Sequence, residues 1–155
     1  MQLEFLDILL RLGAASAAGM AIGLNRDLKN KPIGMRTLGL VSLGAAIVTV
    51  ATVYFENLIA HPDALSRVVQ GVIQGIMAGI SFIGAGVILR DAQARTVEGL
   101  TTAATVWVTA ALGIACGLAA WRIAVVGLAF SLFLLVGVGW IERLLGAGEE
   151  DERKN

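Results

Sequence analysis

Five long apolar runs, separated by short charged or turn-forming stretches, limit this chain more than anything else in it. Each run is about 17–22 residues long, enough to cross roughly 30 Å of hydrocarbon as a helix. Lipid offers the backbone no hydrogen bonds, so a span of this kind has to satisfy its own. The expected fold is an all-α integral membrane protein with five transmembrane helices. The spans are read as Leu3–Leu24, Leu38–Phe55, Val68–Leu89, Gly99–Leu118 and Ile123–Trp140. The 57% hydrophobic share and mean hydropathy of +0.79 support this, since soluble domains carry roughly 45–50% apolar residues. Residues 1–142 are expected to form one membrane domain, and 143–155 a short charged tail.

The charges set an expected orientation. The segments after the first and third runs, with the tail, hold Arg26, Lys29, Lys31, Arg36, Arg90, Arg95, Arg143, Arg153 and Lys154. The opposite side holds Arg67 and Arg122, with Arg11 if it snorkels there. By the positive-inside rule the N-terminus lies outside and the C-terminus in the cytoplasm. The start, MQLEFLD, is acidic. It lacks the basic region of a cleavable signal, so the first helix is expected to stay.

Polar and small residues inside the runs are the next signal. Arg11 is costly in lipid unless it snorkels, faces the bundle or pairs; Asp7 lies four residues earlier on the same helix face. Gly19 and Gly23 have GxxxG spacing, which lets helices approach closely. Gly79, Gly84 and Gly86 suggest a similar packing surface on the third span, and Thr101, Thr102 and Thr105 can bond across helices or back to a carbonyl. Gln70 and Gln74 share one helix face, for a neighbouring helix or a solute path. Single Cys116 and single His61 give no disulfide and no metal spacing. The 12 basic and 12 acidic residues balance, so nothing points to nucleic acid.

Two stretches carry a resemblance. Asn25–Thr37 reads NRDLKNKPIGMRT. Ser81–Ile88 reads SFIGAGVI and is followed, ten residues later, by GLTTAATVW. Together they resemble the signatures of the N-terminal membrane domain of the MgtC/SapB family, over about residues 5–120. The matching positions are Arg26, Asp27, Lys31, Pro32, Gly34, Arg36 and Thr37, then Phe82, Gly84, Ala85, Gly86, Gly99, Thr101, Thr102 and Trp107. Asn25, Ser81 and Leu38 depart from the pattern, which usually has glutamate, glycine and histidine there. The soluble C-terminal domain of the family's virulence members is not expected here. The resemblance implies a multi-pass bacterial inner-membrane protein tied to growth at low magnesium, acid stress and survival in macrophages. One branch is described as a regulator of the membrane ATP synthase.

The functional expectation has two forms. One is a regulator that contacts another membrane complex, or its own copies, through helix faces. The other is a transporter or channel for magnesium, another small ion or a solute. A faint echo between the first and second helix pairs would suit a transporter, although Gly/Ala-rich sequence also produces such echoes. No nucleophile–base set or nucleotide loop stands out, so an enzyme is not expected. Asp27, Asp91 and Glu98 could hold a hydrated magnesium ion. Pairing with arginines explains the same carboxylates, and Asp27 is expected to pair with Arg36 or Arg95. The two loops, with Asp91, Arg95 and Glu98 in the second, are expected to meet in one cluster.

Overall fold

A computed structural model describes residues 4–54, 62–91 and 96–138. Five helices long and apolar enough to span a membrane account for most of them. They are α1 (Phe5–Leu28), α2 (Met35–Tyr54), α3 (Pro62–Gly86), α4 (Leu100–Gly117) and α5 (Trp121–Leu132). A π-helical turn, Phe133–Val138, extends α5. Strands β1 (Leu89–Asp91) and β2 (Thr96–Glu98) pair antiparallel, Leu89 opposite Glu98 and Asp91 opposite Thr96. The expected connection around His61, the residue Arg95 and the charged tail lie outside the described residues.

The helix ends differ from the sequence reading for local reasons. α1 runs one turn past Leu24, because no breaker precedes Pro32 and the polar side chains of that turn find partners. It closes with Lys31 N–H on the Arg26 carbonyl (3.0 Å) and Asn30 N–H on that of Asp27 (3.1 Å). Asn30 takes the left-handed conformation there (φ 50°), which asparagine tolerates. α4 ends in the same way through Ala120 N–H to Ala115 and Ala119 N–H to Cys116. Here an alanine, Ala119, carries the positive φ of 55°. α3 starts earlier than expected, at Pro62, a residue suited to a first helical position. It stops at Gly86, and Leu89 enters the ribbon instead.

α1, α2 and α4 form the packed centre. Buried Ala15, Ala46, Ala115 and Cys116 make one cluster, and Ile22, Leu38, Val106 and Leu112 another. α2 lies between two glycine faces. A Cβ on Gly19 would overlap the Leu38 carbonyl oxygen, and one on Gly23 the Met35 backbone. On the other side, a Cβ on Gly113 would overlap the Ser42 carbonyl oxygen, and one on Gly117 would sit 2.7 Å from Thr49 Cβ. Close backbone approach of this kind replaces the hydrophobic force that lipid does not supply. Thr49, Thr105 and Thr109 return their hydroxyls to the carbonyls four residues earlier, so most of these polar groups are satisfied within their own helix.

The glycine surface expected on α3 needs correction. Gly84 is buried and a Cβ there would make ordinary contact with Ala103 at 3.6 Å, but Gly79 and Gly86 meet nothing within 4 Å. Only one turn of that face leans on α4.

Candidate functional site

The first motif and the start of α4 come together around Arg26. This arginine sits in the last turn of α1 and is only 5% exposed. Its Nη2 donates to Thr102 Oγ1 in the first turn of α4, and to the Pro32 carbonyl at 3.3 Å. Its Nε is buried without a partner. Among the described side chains no carboxylate lies within ion-pair distance of it; the single ion pair there is Arg11–Asp7.

Asp27 does not pair with Arg36. Its Oδ2 accepts the Met35 backbone N–H at 2.9 Å and so caps α2. The loop is shaped to bring it there. Ile33 adopts a left-handed conformation (φ 63°), rare for a β-branched residue. Gly34 leaves the space its own Cβ would take from the Asp27 carboxylate. An orphan N–H at a helix start attracts a carboxylate strongly, and in this loop that attraction wins over the exposed Arg36 guanidinium.

The remaining motif residues divide. Lys31, Pro32, Arg36 and Thr37 are exposed, Pro32 serving through its carbonyl. Lys29, absent from the matching positions, donates from Nζ to the Leu135 carbonyl at 2.7 Å and ties the end of α1 to α5. Thr102 is buried; Thr101 is exposed and accepts the Thr105 hydroxyl at its carbonyl. Glu98 is exposed at the end of β2, and Asp91 is placed in β1. Gly99, at φ 85°, starts α4, and a Cβ there would overlap the Val87 carbonyl oxygen. The two motifs therefore meet through Arg26 and Thr102; Arg95, the other expected partner of Asp27, lies outside the described residues.

Sequence reasoning missed the matching contact at the far end of α1. Arg11, 7% exposed, pairs with Asp7 at 2.7 Å and also donates from Nη1 to the Gly117 carbonyl at 2.9 Å. Arg11 and Arg26 are fifteen residues apart, as are their antiparallel partners Gly117 and Thr102. Equal spacing gives equal rise, about 22 Å, so α1 grips α4 at both ends. The equal spacing was readable in the sequence; the pairing of helices was not.

Among the described residues no three His, Cys, Asp or Glu side chains converge, and Asp27 already accepts a backbone N–H. A cavity of about 210 Å³ lies beside the site, between Ile22 of α1, Thr101 and Thr105 of α4, and Ser131 and Leu135. Gln70 and Gln74 instead line an open groove on the outer side of α3 with Leu65, Ser66, Val69 and Ile73.

The fold and this site define a multi-pass helical membrane protein whose two sequence signatures meet at one end of the bundle. The MgtC family profile matches residues 12–144, and the chain belongs to that family. It is 39% identical to Protein SrpB of Synechococcus elongatus, over 97% of this chain and 85% of that protein. It is 36% identical to Protein SapB of Bacillus subtilis, over 95% of this chain and 63% of that one. Against Protein MgtC of Salmonella typhimurium the identity is 37%, over 71% of this chain but only 43% of the relative. No solved structure matches the chain.

Proposed function

We propose that this chain is a bacterial inner-membrane regulator that supports growth at low magnesium or under acid stress. It acts by laying helix faces against another membrane complex or a second copy of itself. The observation that supports this reading is the distribution of free surface. α3 and α5 bury only 6% of their spanning residues each inside the chain, while α4 buries 61%. Two of five spans thus lie at the periphery. Each rests one apolar edge on the packed centre, through Ile73, Met77 and Ile80 of α3 and Leu128 and Leu132 of α5, and leaves the rest open. Gln70 and Gln74 face outward on one of them, where an amide gains from a neighbouring helix.

The test pairs function with contact. A photo-crosslinker at Gln74 should trap a membrane protein in living cells, and one at buried Thr49 should not. Gln74→Leu should impair growth at low magnesium while membrane levels hold. Flux of magnesium through liposomes holding the pure protein would overturn the contact reading and favour a transporter. The proposed orientation, N-terminus out and C-terminus in, is checked with an impermeant thiol reagent on intact spheroplasts. A cysteine at Asn30 should resist it and one at Ala60 should react; the reverse pattern inverts the topology.

A further inference from the structure

α5 packs beside α4 with a gap left between them, the cavity of about 210 Å³ over Ile22. Short side chains leave the space: Ala104 and Thr105 on α4, Ser131 on α5. Ile22 and Thr105 are buried and form its floor, whereas Ala104 and Leu134 are exposed and stand at its opening. The gap is thus a slot, closed towards the packed centre and open on the outside of the bundle. It follows α4 from Thr101 to Val108, roughly 10 Å at the helical rise per residue.

The chemistry of the slot is that of hydrocarbon. The Thr105 hydroxyl donates to the Thr101 carbonyl at 2.7 Å, and the Ser131 hydroxyl to the Gly127 carbonyl at 2.6 Å. Both groups are spent within their own helices, and the wall that remains is mainly apolar. A buried water needs several polar partners, which this wall does not give it. Left empty, the slot forfeits dispersion contacts along its whole lining. A partner helix, about 10–12 Å across, is too thick to enter it. The surface outside is suited to lipid: Phe130, one turn before Leu134 on the same face, is large, apolar and exposed. The slot is also held in shape. A π-helical turn, a form frequent at functional sites, begins at Phe133. Lys29 of α1 grips that turn at the carbonyl of Leu135, a residue of the slot wall, at 2.7 Å.

We propose that the slot holds one acyl chain of a membrane phospholipid, laid along α4 between Ala104 and Ser131 with Ile22 beneath it. An apolar cavity of about 150 Å³ takes a benzene ring, and this larger one takes a run of several methylenes. The chain supplies contacts that α4 and α5 do not make with each other, and so helps to seat α5.

The full chain is reconstituted in liposomes that contain a phosphatidylcholine with a diazirine midway along one acyl chain. After irradiation the adducts are mapped by mass spectrometry. They should concentrate on Thr105 and Val108, which bulk lipid hardly reaches, above the level on exposed Ile123 and Val125. Ser131→Phe fills the slot from α5 and should lose the adducts at Thr105 and Val108 while keeping those at Ile123 and Val125. Because Ser131→Phe can fail to fold, Ala104→Leu, at an exposed position, narrows the opening from α4 and should show the same loss. Melting reads the same event. In a steroidal detergent, whose fused rings are too wide for the slot, added phospholipid should raise Tm of the wild type and not of Ala104→Leu. Adducts at Thr105 and Val108 that persist in the variants overturn the proposal, as does an equal rise in Tm for Ala104→Leu. A wild type labelled at Ile123 and Val125 but not in the slot overturns it too, and leaves the slot to an occupant other than lipid.

Discussion

Gly19 and Gly23 of α1, and Gly113 and Gly117 of α4, stand where an added methyl would run into α2. Gly71, Gly75 and Gly79 of α3 repeat the same four-residue spacing, and nothing lies within 4 Å of where their methyls would be. The two sets are alike in sequence. They differ in what the rest of the chain puts opposite them. α1 and α4 are fixed against α2 from both sides and joined to each other by Arg11 and Arg26. α3 rests on the centre through Ile73, Ile76, Met77 and Ile80, brings Gly84 against Ala103, and leaves Gly71, Gly75 and Gly79 open. Spacing of four therefore marks a face that can take a helix, and the partner decides whether it does.

The comparison breaks most visibly at Gly113. Gly113→Leu must push α2 away from α4, so a loss of about 3 kcal/mol is expected, read as a lower midpoint in denaturant or heat. Gly75→Leu in the same micelle should leave the monomer nearly unchanged; equal losses at both sites would erase the distinction. Gly99→Ala comes next, at about 1–3 kcal/mol, since alanine must hold a positive φ and its methyl meets Val87.

A smaller effect separates capping from charge at the edge of the packed centre. Asp27→Ala should cost about 1 kcal/mol by leaving Met35 N–H open. Asp27→Asn keeps an acceptor oxygen and should stay close to wild type in both melting and growth at low magnesium. A severe growth defect in Asp27→Asn would mean that the charge itself is used. Ala119→Gly relieves a left-handed alanine and should gain about 1 kcal/mol. Gly75→Ala sharpens the contrast last. It should gain about 0.5–1 kcal/mol in the isolated chain, and a loss in native membranes would reveal a helix lying on that face.

The five spans were legible because length and hydropathy suffice to find them. So was the packing role of Gly19 and Gly23, and the Asp7–Arg11 pair four residues apart on one helix. The role of Asp27 was not. It caps a helix that starts eight residues later, through a loop bent at Ile33, and a local capping pattern cannot anticipate that reach. Gly113 and Gly117 have the same spacing in an equally alanine-rich run, but spacing alone does not say which helix lies opposite. Arg26 stood out as a motif residue from the start. Its partner, Thr102, could be found only by knowing that α1 and α4 lie side by side.

The two arginines of α1 also impose an order on synthesis. Thr102 is 76 residues beyond Arg26, and Gly117 is 106 residues beyond Arg11. At about 5–20 residues per second, α1 waits roughly 4–15 s after Arg26 is made before Thr102 exists. Once Tyr54 is made the segment has its glycine partner α2, but until Thr102 follows it has neither of its arginine contacts on α4. Released into lipid at once, it would hold Arg26 without its acceptor on α4. Until α4 arrives, Arg11 has Asp7 and Arg26, in the last turn of α1, has the headgroups within reach, so a ribosome stalled after α2 should leave α1 more readily extracted than in the finished chain.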